Sequence, residues 1–206
     1  MPKPFVIHDP YFEKAKKMWY RARSAFKLLE IQEKYNIIHP KMHVLDVGAA
    51  PGSFIQVISR IVDLDHKVVG IDITKIDPNF WRANIHLLQE SIFEYDKVRI
   101  FLDSLGVGQF DLITSDIAPS TTGMTWVDQY RSIELNLAIL DVAKVFLKKW
   151  GNLVLKVFVG EDVNDLMLPL KANFKKVSRF KPKACRDRSF EEYFIGIGKT
   201  EEKISL

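Results

Sequence analysis

Val44-Leu45-Asp46-Val47-Gly48-Ala49-Ala50-Pro51-Gly52-Ser53-Phe54 is the stretch whose reading decides the fold. Val44 to Val47 reads as a short buried strand, Gly48 and Gly52 bracket a tight turn, and Phe54, Val57, Ile58 and Ile61 recur at helical spacing. Glycine permits positive φ and lets a ligand approach the backbone. The carboxylate of Asp46 at the strand end repels a phosphate and can accept hydrogen bonds from a cationic or hydroxylated ligand. The loop has neither the G-x-G-x-x-G of a dinucleotide site nor the Gly-Lys-Ser/Thr that ends a P-loop. Asp72 closes the next strand, Val68 to Asp72, where an acidic residue can grip a ribose diol.

Upstream, Ala25, Leu28 and Leu29 share one face of a helix predicted from Arg23 to Tyr35, with Lys27 beside that face. Residues 1–20 carry no clean periodicity and read as an arm. Downstream, Asn84 to Gln89 reads as a third strand, Asp96 to Leu105 as a short helix, and Phe110 to Asp116 as a fourth strand that ends on another carboxylate. Ile117 to Thr125, with Pro119, Gly123 and several hydroxyls, reads as a loop over a site. A long helix begins near Asp128, buries Ile133, Leu137, Leu140, Ala143 and Leu147, and ends at Trp150-Gly151. A strand from Leu153 to Phe158, a helix from Val163 to Ala172 and strands from Phe174 to Phe180 and Glu192 to Gly198 complete the chain.

This alternation predicts an α/β fold, a mostly parallel sheet with helices on both faces and ligands beyond the carboxyl ends of the strands. Asp46, Asp72 and Asp116 all end strands. Three carboxylates on one rim disfavour a polyphosphate and favour a neutral or cationic ligand that carries a ribose.

At 206 residues the chain reads as one domain, and 47% hydrophobic with 27% charged residues is an ordinary globular composition. No apolar run reaches the ~18 residues of a membrane helix, and the first residues resemble neither a signal peptide nor a presequence, so no membrane partner is expected. The single cysteine, Cys185, suits a reducing compartment: the cytoplasm, or in a eukaryote the nucleus or mitochondrion. The formal charge of +4 is unevenly spread. Lys14, Lys16, Lys17, Arg21, Arg23 and Lys27 lie among Tyr11, Trp19 and Tyr20, while Lys171, Lys175, Lys176, Arg179, Lys181, Lys183, Arg186 and Arg188 share a stretch with one acid, Asp187. Either cluster alone would merely solvate a surface, but two flanking a nucleotide-like core point to nucleic acid. The histidines, His8, His39, His43, His66 and His86, have no ligand spacing and read as structural or exposed.

From Tyr20 to about Lys199 the chain resembles the FtsJ/RrmJ (RlmE) family of RNA ribose 2′-O-methyltransferases. The matching signatures are Arg23-Ser24-Ala25-Phe26-Lys27-Leu28-Leu29-Glu30-Ile31, Asp46-Val47-Gly48-Ala49-Ala50-Pro51-Gly52, Ser115-Asp116-Ile117-Ala118-Pro119, Leu155-Lys156-Val157-Phe158 and Arg186-Asp187-Arg188-Ser189-Phe190-Glu191-Glu192-Tyr193. The resemblance implies a Rossmann-like sheet of seven strands with the last antiparallel, residues 21–199 forming a catalytic core behind an arm, and S-adenosylmethionine as cofactor. It implies a catalytic set of Lys27, Asp116, Lys156 and Glu191. It also implies a donor pocket of Asp46, Gly48, Ala49, Pro51, Gly52, Ser53, Phe54, Asp72, Ile73, Ile92 and Asp116, with the adenine read at Glu90 or Ser91. The implied partner is structured RNA, bound by a monomer through its basic ends. Large-subunit ribosomal RNA, with a uridine as target, is favoured over the anticodon loop of a transfer RNA.

A ribose 2′-hydroxyl is a poor nucleophile at neutral pH, so catalysis is mostly alignment and proton removal. Lys156, arriving on an apolar strand, is the candidate base, because desolvation and the second ammonium of Lys27 disfavour its charged form. Asp116 and Glu191 oppose that shift and are assigned to orientation and charge balance; no metal is required. The rival readings are ion pairs of purely structural value, a catalytically silent RNA-binding ribosome-assembly factor and a small-molecule methyltransferase. Phe26 and Trp19 are candidates to stack on a base, and Cys185 is expected to be inert.

Overall fold

The computed structural model describes residues 9–80, 82–186 and 189–200. Its first strand, β1 (Val44–Val47), is buried along its whole length, as a strand covered on both faces must be. Leu45 and Val47 enter one core with Val69, Ile71, Ile113 and Leu155, whereas Val44 enters a second with Val68, Leu112 and Val154. That period of two creates the three layers. Parallel to β1 on one side run β2 (Val68–Asp72) and β3 (Ile85–Gln89), and on the other β4 (Phe110–Ser115) and β5 (Leu147–Phe158). Beyond β5 the direction reverses. Between it and β6 (Phe174–Phe180) lies β7 (Glu191–Lys199), antiparallel to both, which gives the order β3-β2-β1-β4-β5-β7-β6.

Helices α1 (Pro10–Lys17), α2 (Ala25–Tyr35) and α3 (Ser53–Ile61) supply Ala15, Leu28, Ile31, Ile55 and Ile58 to the core on one face of the sheet. Helices α4 (Tyr95–Ser104), α5 (Thr125–Phe146) and α6 (Val163–Asn173) supply Val98, Leu102, Ile139, Phe146 and Leu166 to the other. The expected α/β architecture, including the antiparallel last strand, is the one observed. β1 and β4 are neighbours although the chain visits β2 and β3 between them, so a crevice opens beyond Val47 and Ser115 where the strand order reverses. No helix among the described residues is long and apolar enough to cross a membrane.

Two segments differ from the sequence reading. Residues 10–17 form a helix rather than an irregular arm, started by Asp9, whose carboxylate accepts the N–H groups of Tyr11 and Phe12 at 3.2 Å. Its apolar signal is weak because Ala15 is the one residue it buries fully; residues 1–8 lie outside the described residues. The long helix ends at Phe146, and Leu147 through Gly151, read as its last turn and stop, already belong to β5. Leu147 falls at a helical interval after Ala143, yet its backbone is extended and it pairs with Phe110 of β4. A fully buried leucine satisfies either period, and strand pairing decided between them.

The interior of the sheet carries one acid. Asp46 is opposite Thr114 in the β1–β4 register, is 1% exposed, and accepts a 2.7 Å hydrogen bond from Thr114 Oγ1. Burial pushes its carboxyl up to about 8; the Thr114 hydrogen bond opposes that rise, and the charges of Asp116 and Asp72 add to it. The folded chain thus keeps a proton that an unfolded aspartate releases near 3.8, so this group's contribution to stability is complete below that value and is lost as pH rises toward 8. Asp46→Asn removes the titration, and urea unfolding at about pH 5 and about pH 8 is expected to give a smaller stability difference for the variant than for the wild type. Packing makes a second prediction at Gly70, where a Cβ would lie 2.3 Å from Ile55 Cδ1 and 3.1 Å from Leu87 Cδ2. Gly70→Ala is expected to destabilise by about 1–3 kcal/mol and lower the melting temperature by roughly 3–10 °C. Gly108→Ala, whose Cβ would meet nothing within 4 Å, is the control and is expected to change stability by no more than about 0.5 kcal/mol.

Candidate active site

The turn after β1 is shaped by what passes over it. Gly48 takes φ +69°, and a Cβ there would meet Ile117 Cβ at 2.8 Å, so the loop after β4 packs directly on a glycine. Asp72, at the end of β2, holds the same turn by accepting the N–H of Ala50 at 2.9 Å and that of Thr74 at 2.7 Å. Between these strand ends lies a cleft of about 530 Å³ lined by Val47, Gly48, Ala50, Ile71, Asp72, Ile73, Thr74, Glu90, Ser91, Ile92, Phe93, Asp116, Ile117, Ala118 and Leu135. Glu90 is braced within it: Oε2 accepts from Lys97 Nζ at 2.8 Å, and Oε1 accepts the Ser91 N–H at 2.9 Å. The Lys97 hydrogen bond, with that of Ser91, holds the Glu90 carboxyl below its usual range.

Of the residues expected at a cofactor, Gly48, Asp72, Ile73, Glu90, Ser91, Ile92 and Asp116 share this wall, and Ala49, Pro51, Gly52, Ser53 and Phe54 do not. Ala49 packs in the core beneath the turn, and the Pro51 carbonyl accepts from Arg21 at 3.1 Å. The Ser53 hydroxyl shares a 2.7 Å hydrogen bond with that of Ser24, and Phe54 is buried with its ring 6.4 Å from that of Tyr193. Asp46, read as a ligand acceptor, is likewise committed inside the sheet to Thr114. A strand of four residues cannot be read for which way its last carboxylate turns when both faces are buried.

The four residues expected to be catalytic come from four elements. Lys27 on α2 forms an ion pair with Glu191 at the start of β7. Lys156, in β5, donates to the main-chain oxygen of Asp116, just after β4, and its Nζ stands 3.3 Å from Asp116 Oδ1. The lysines are 7% and 9% exposed, so both ammonium groups are removed from bulk water beside their partners. Tyr193 connects the pairs: its Oη donates to Asp116 Oδ1 at 2.5 Å, and its ring centroid is 5.9 Å from Lys27 Nζ. Burial, followed by the charges of Asp116 and Glu191, pushes the Tyr193 phenol well above its usual range, so it remains a donor.

Tyr193 was not singled out in the sequence, although strand alternation puts it on the same side of β7 as Glu191, two residues earlier. Cys185 was expected to be inert, and its thiol is indeed buried and pushed up to about 12 by burial and by Glu191. It nonetheless touches the site, its Sγ lying 3.7 Å from Glu191 Oε1.

Part of the basic surface is spent inside the molecule. The Arg21 guanidinium donates to the carbonyls of Pro51, Asp77 and Asn79 and lies 3.8 Å over the Phe80 ring, clamping the glycine turn to the loop after β2. Arg23 pairs with Asp9 and donates to the Ala184 carbonyl at 2.9 Å. Neither is the free phosphate contact that composition suggested, whereas Lys16, Lys17, Lys171, Lys176 and Lys183 remain exposed, and Arg186, also exposed, reaches the Asp9 carboxylate at 3.7 Å; Arg188 and Asp187 lie outside the described residues. Phe26 packs between Tyr11 and Tyr20 at 5.7 and 5.6 Å, while Trp19 is 84% exposed. The rings of His43 and His66 lie 5.1 Å apart, tilted by 41°, before β1 and β2, at the opposite end of those strands from the cleft. Among the described residues no group of three or more His, Cys, Asp or Glu is arranged to hold a metal ion.

Known proteins resemble this chain in sequence and in fold. A family model described as FtsJ-like methyltransferase matches residues 20–199. The chain is 41% identical over 193 residues to the ribosomal RNA large subunit methyltransferase E of Desulfosudis oleivorans, covering 94% of this chain and 91% of that one. It is 36% identical over 192 residues to the protein of the same name from Pseudomonas fluorescens, covering 93% and 90%. The crystal structure of a ribosomal RNA methyltransferase from Plasmodium falciparum superposes with a TM-score of 0.73 at 30% identity, covering 87% of this chain and 98% of that one. The chain belongs to the FtsJ-like methyltransferase family.

Proposed function

We propose that this chain methylates the 2′-hydroxyl of a ribose in structured RNA, using S-adenosylmethionine, and that its target is a uridine of large-subunit ribosomal RNA. The observation that carries this reading is the linking of the Lys27–Glu191 and Lys156–Asp116 pairs through Tyr193, with Asp116 itself in the wall of an acidic cleft. The relatives named ribosomal RNA large subunit methyltransferase E supply the substrate class. The cleft suits the donor: its volume of about 530 Å³ lies in the range of small-molecule sites, and Asp72, Glu90 and Asp116 oppose a polyphosphate while accepting hydrogen bonds from a ribose and an amine. Gly48 lets Ile117 close directly over the turn, since a Cβ there would clash with it at 2.8 Å. When bound, S-adenosylmethionine supplies a methyl group already activated by the positive sulfonium.

The protein's part is alignment and proton removal. Lys156 Nζ acts as the neutral amine and takes the proton that the 2′-oxygen releases, becoming the ammonium that pairs with Asp116. Asp116 aims that nitrogen through its main-chain and carboxylate oxygens, and Tyr193 in turn fixes the Asp116 carboxylate. Lys27 offers positive charge where the oxygen becomes nucleophilic, and Glu191 balances and positions it. Asp72 holds the donor's ribose, and the Glu90–Ser91 corner meets its adenine. We assign the chain to one domain with residues 21–199 as the catalytic core, acting as a cytoplasmic monomer whose exposed basic segments grip the RNA backbone.

Lys156→Ala is expected to lower kcat for methyl incorporation into RNA by a factor on the order of 10²–10⁴, with the donor's dissociation constant unchanged by calorimetry. Wild-type turnover in that variant would overturn the assignment. RNA affinity is expected to fall steeply with added salt, and the double variant Lys16→Ala, Lys17→Ala to reduce the log–log slope by about 1.5, since each phosphate contact contributes roughly 0.7–0.9. An unchanged slope in filter-binding titrations would remove α1 from the RNA surface.

A further inference from the structure

A second hollow, of about 260 Å³, lies beside the tetrad, and none of its lining residues lines the donor cleft. Its walls include Thr121, Asp128, Gln129, Phe158, Ser189 and Phe190. The walls are braced. Asp128 Oδ1 accepts from the N–H and hydroxyl of Thr122 at 2.7 and 2.9 Å, holding the loop after Asp116 to the start of α5. Gln129 Nε2 donates to the Val159 carbonyl at 2.7 Å, tying α5 to the end of β5. Phe190 is 55% exposed, a large ring left in solvent immediately before Glu191. No lysine or arginine lines the hollow, so its chemistry is wrong for phosphate and right for a flat, weakly polar ring.

Its position relative to Lys156 narrows the occupant. Phe158 pairs with Glu191 in the β5–β7 register and lies two residues beyond Lys156 on the same side of β5, about 7 Å along the strand. A nucleotide whose 2′-oxygen meets Lys156 carries its base on the adjacent ribose carbon, within reach of that hollow. The Ser189 hydroxyl accepts the Glu191 N–H at 3.2 Å and keeps its own proton to donate, which suits a base carbonyl.

We propose that this hollow holds the base of the acceptor nucleotide, turned out of the RNA stack and laid on Phe190, with the hydroxyls of Ser189 and Thr121 at its polar edge. The inference rests on the ribose-methylation reading above. Phe190 is a substrate-positioning residue, and unmethylated large ribosomal subunits are the acceptor for the test. Phe190→Ala is expected to lower kcat/KM for RNA roughly 10- to 100-fold, the range of one lost base–aromatic stack, with donor affinity and melting temperature unchanged. Phe190→Trp, which keeps a stacking face, is expected to recover most of the loss. Replacement of Phe190 by photoreactive p-benzoylphenylalanine is expected to crosslink the nucleotide that receives the methyl group, mapped by primer extension. Wild-type kcat/KM in Phe190→Ala, or a crosslink only to other nucleotides, overturns the proposal. A wild-type protein that transfers no methyl group to the subunits sinks the ribose-methylation reading, and this one with it.

Discussion

The antiparallel entry of β7 between β5 and β6 is the constraint on which the site depends. It sets Tyr193 opposite Lys156 and Glu191 opposite Phe158, so one strand delivers both an acid and the phenol that joins the two ion pairs. In a low-dielectric rim each lysine needs a partner, and each carboxylate needs a donor, or burial would discharge it. The cluster meets that demand internally: Lys27 with Glu191, Lys156 with Asp116, and the Tyr193 hydroxyl on Asp116. A parallel seventh strand in the same place would carry Glu191 to the opposite end of β5 and leave two buried ammonium groups with one acid.

The same economy of charge governs the switch point. Asp46, Asp72 and Asp116 end adjacent strands, and their mutual repulsion has to be relieved. Burial keeps Asp46 protonated, which takes one negative charge off the rim. Asp72 is held by two backbone N–H groups and Asp116 by Lys156 and Tyr193. What remains is a cleft acidic enough for a cationic ligand without being unstable in its absence. The residues that crowd the glycine turn, Ala49, Ser53 and Phe54, act from beneath as packing. The turn's shape is therefore set by the core on one side and Ile117 on the other.

Basic side chains divide by whether a carbonyl or carboxylate already holds them. Arg21 and Arg23 join distant loops, a use that composition cannot distinguish from nucleic-acid binding because both need an exposed position near other charges. The aromatic residues divide similarly. Phe26 fills the core between two tyrosines, while Trp19 and Phe190 stay in solvent.

The strand–turn–helix at Val44 to Phe54, the mostly parallel sheet and the carboxyl-end location of the candidate site were legible from periodicity, because burial on both faces leaves a short apolar strand few alternatives. The residue types of Lys27, Asp116, Lys156 and Glu191 were legible from motifs that a local stretch of chain carries whole. Their meeting was not, since Lys27 and Glu191 are 164 residues apart and only strand order brings them together. Tertiary structure also decided that Asp46 faces inward, that Arg21 is a clamp, and that Leu147 extends a strand instead of a helix. Each of these turns on a partner far away in the chain, and a pattern read along the backbone records a residue's own chemistry but not what will stand opposite it.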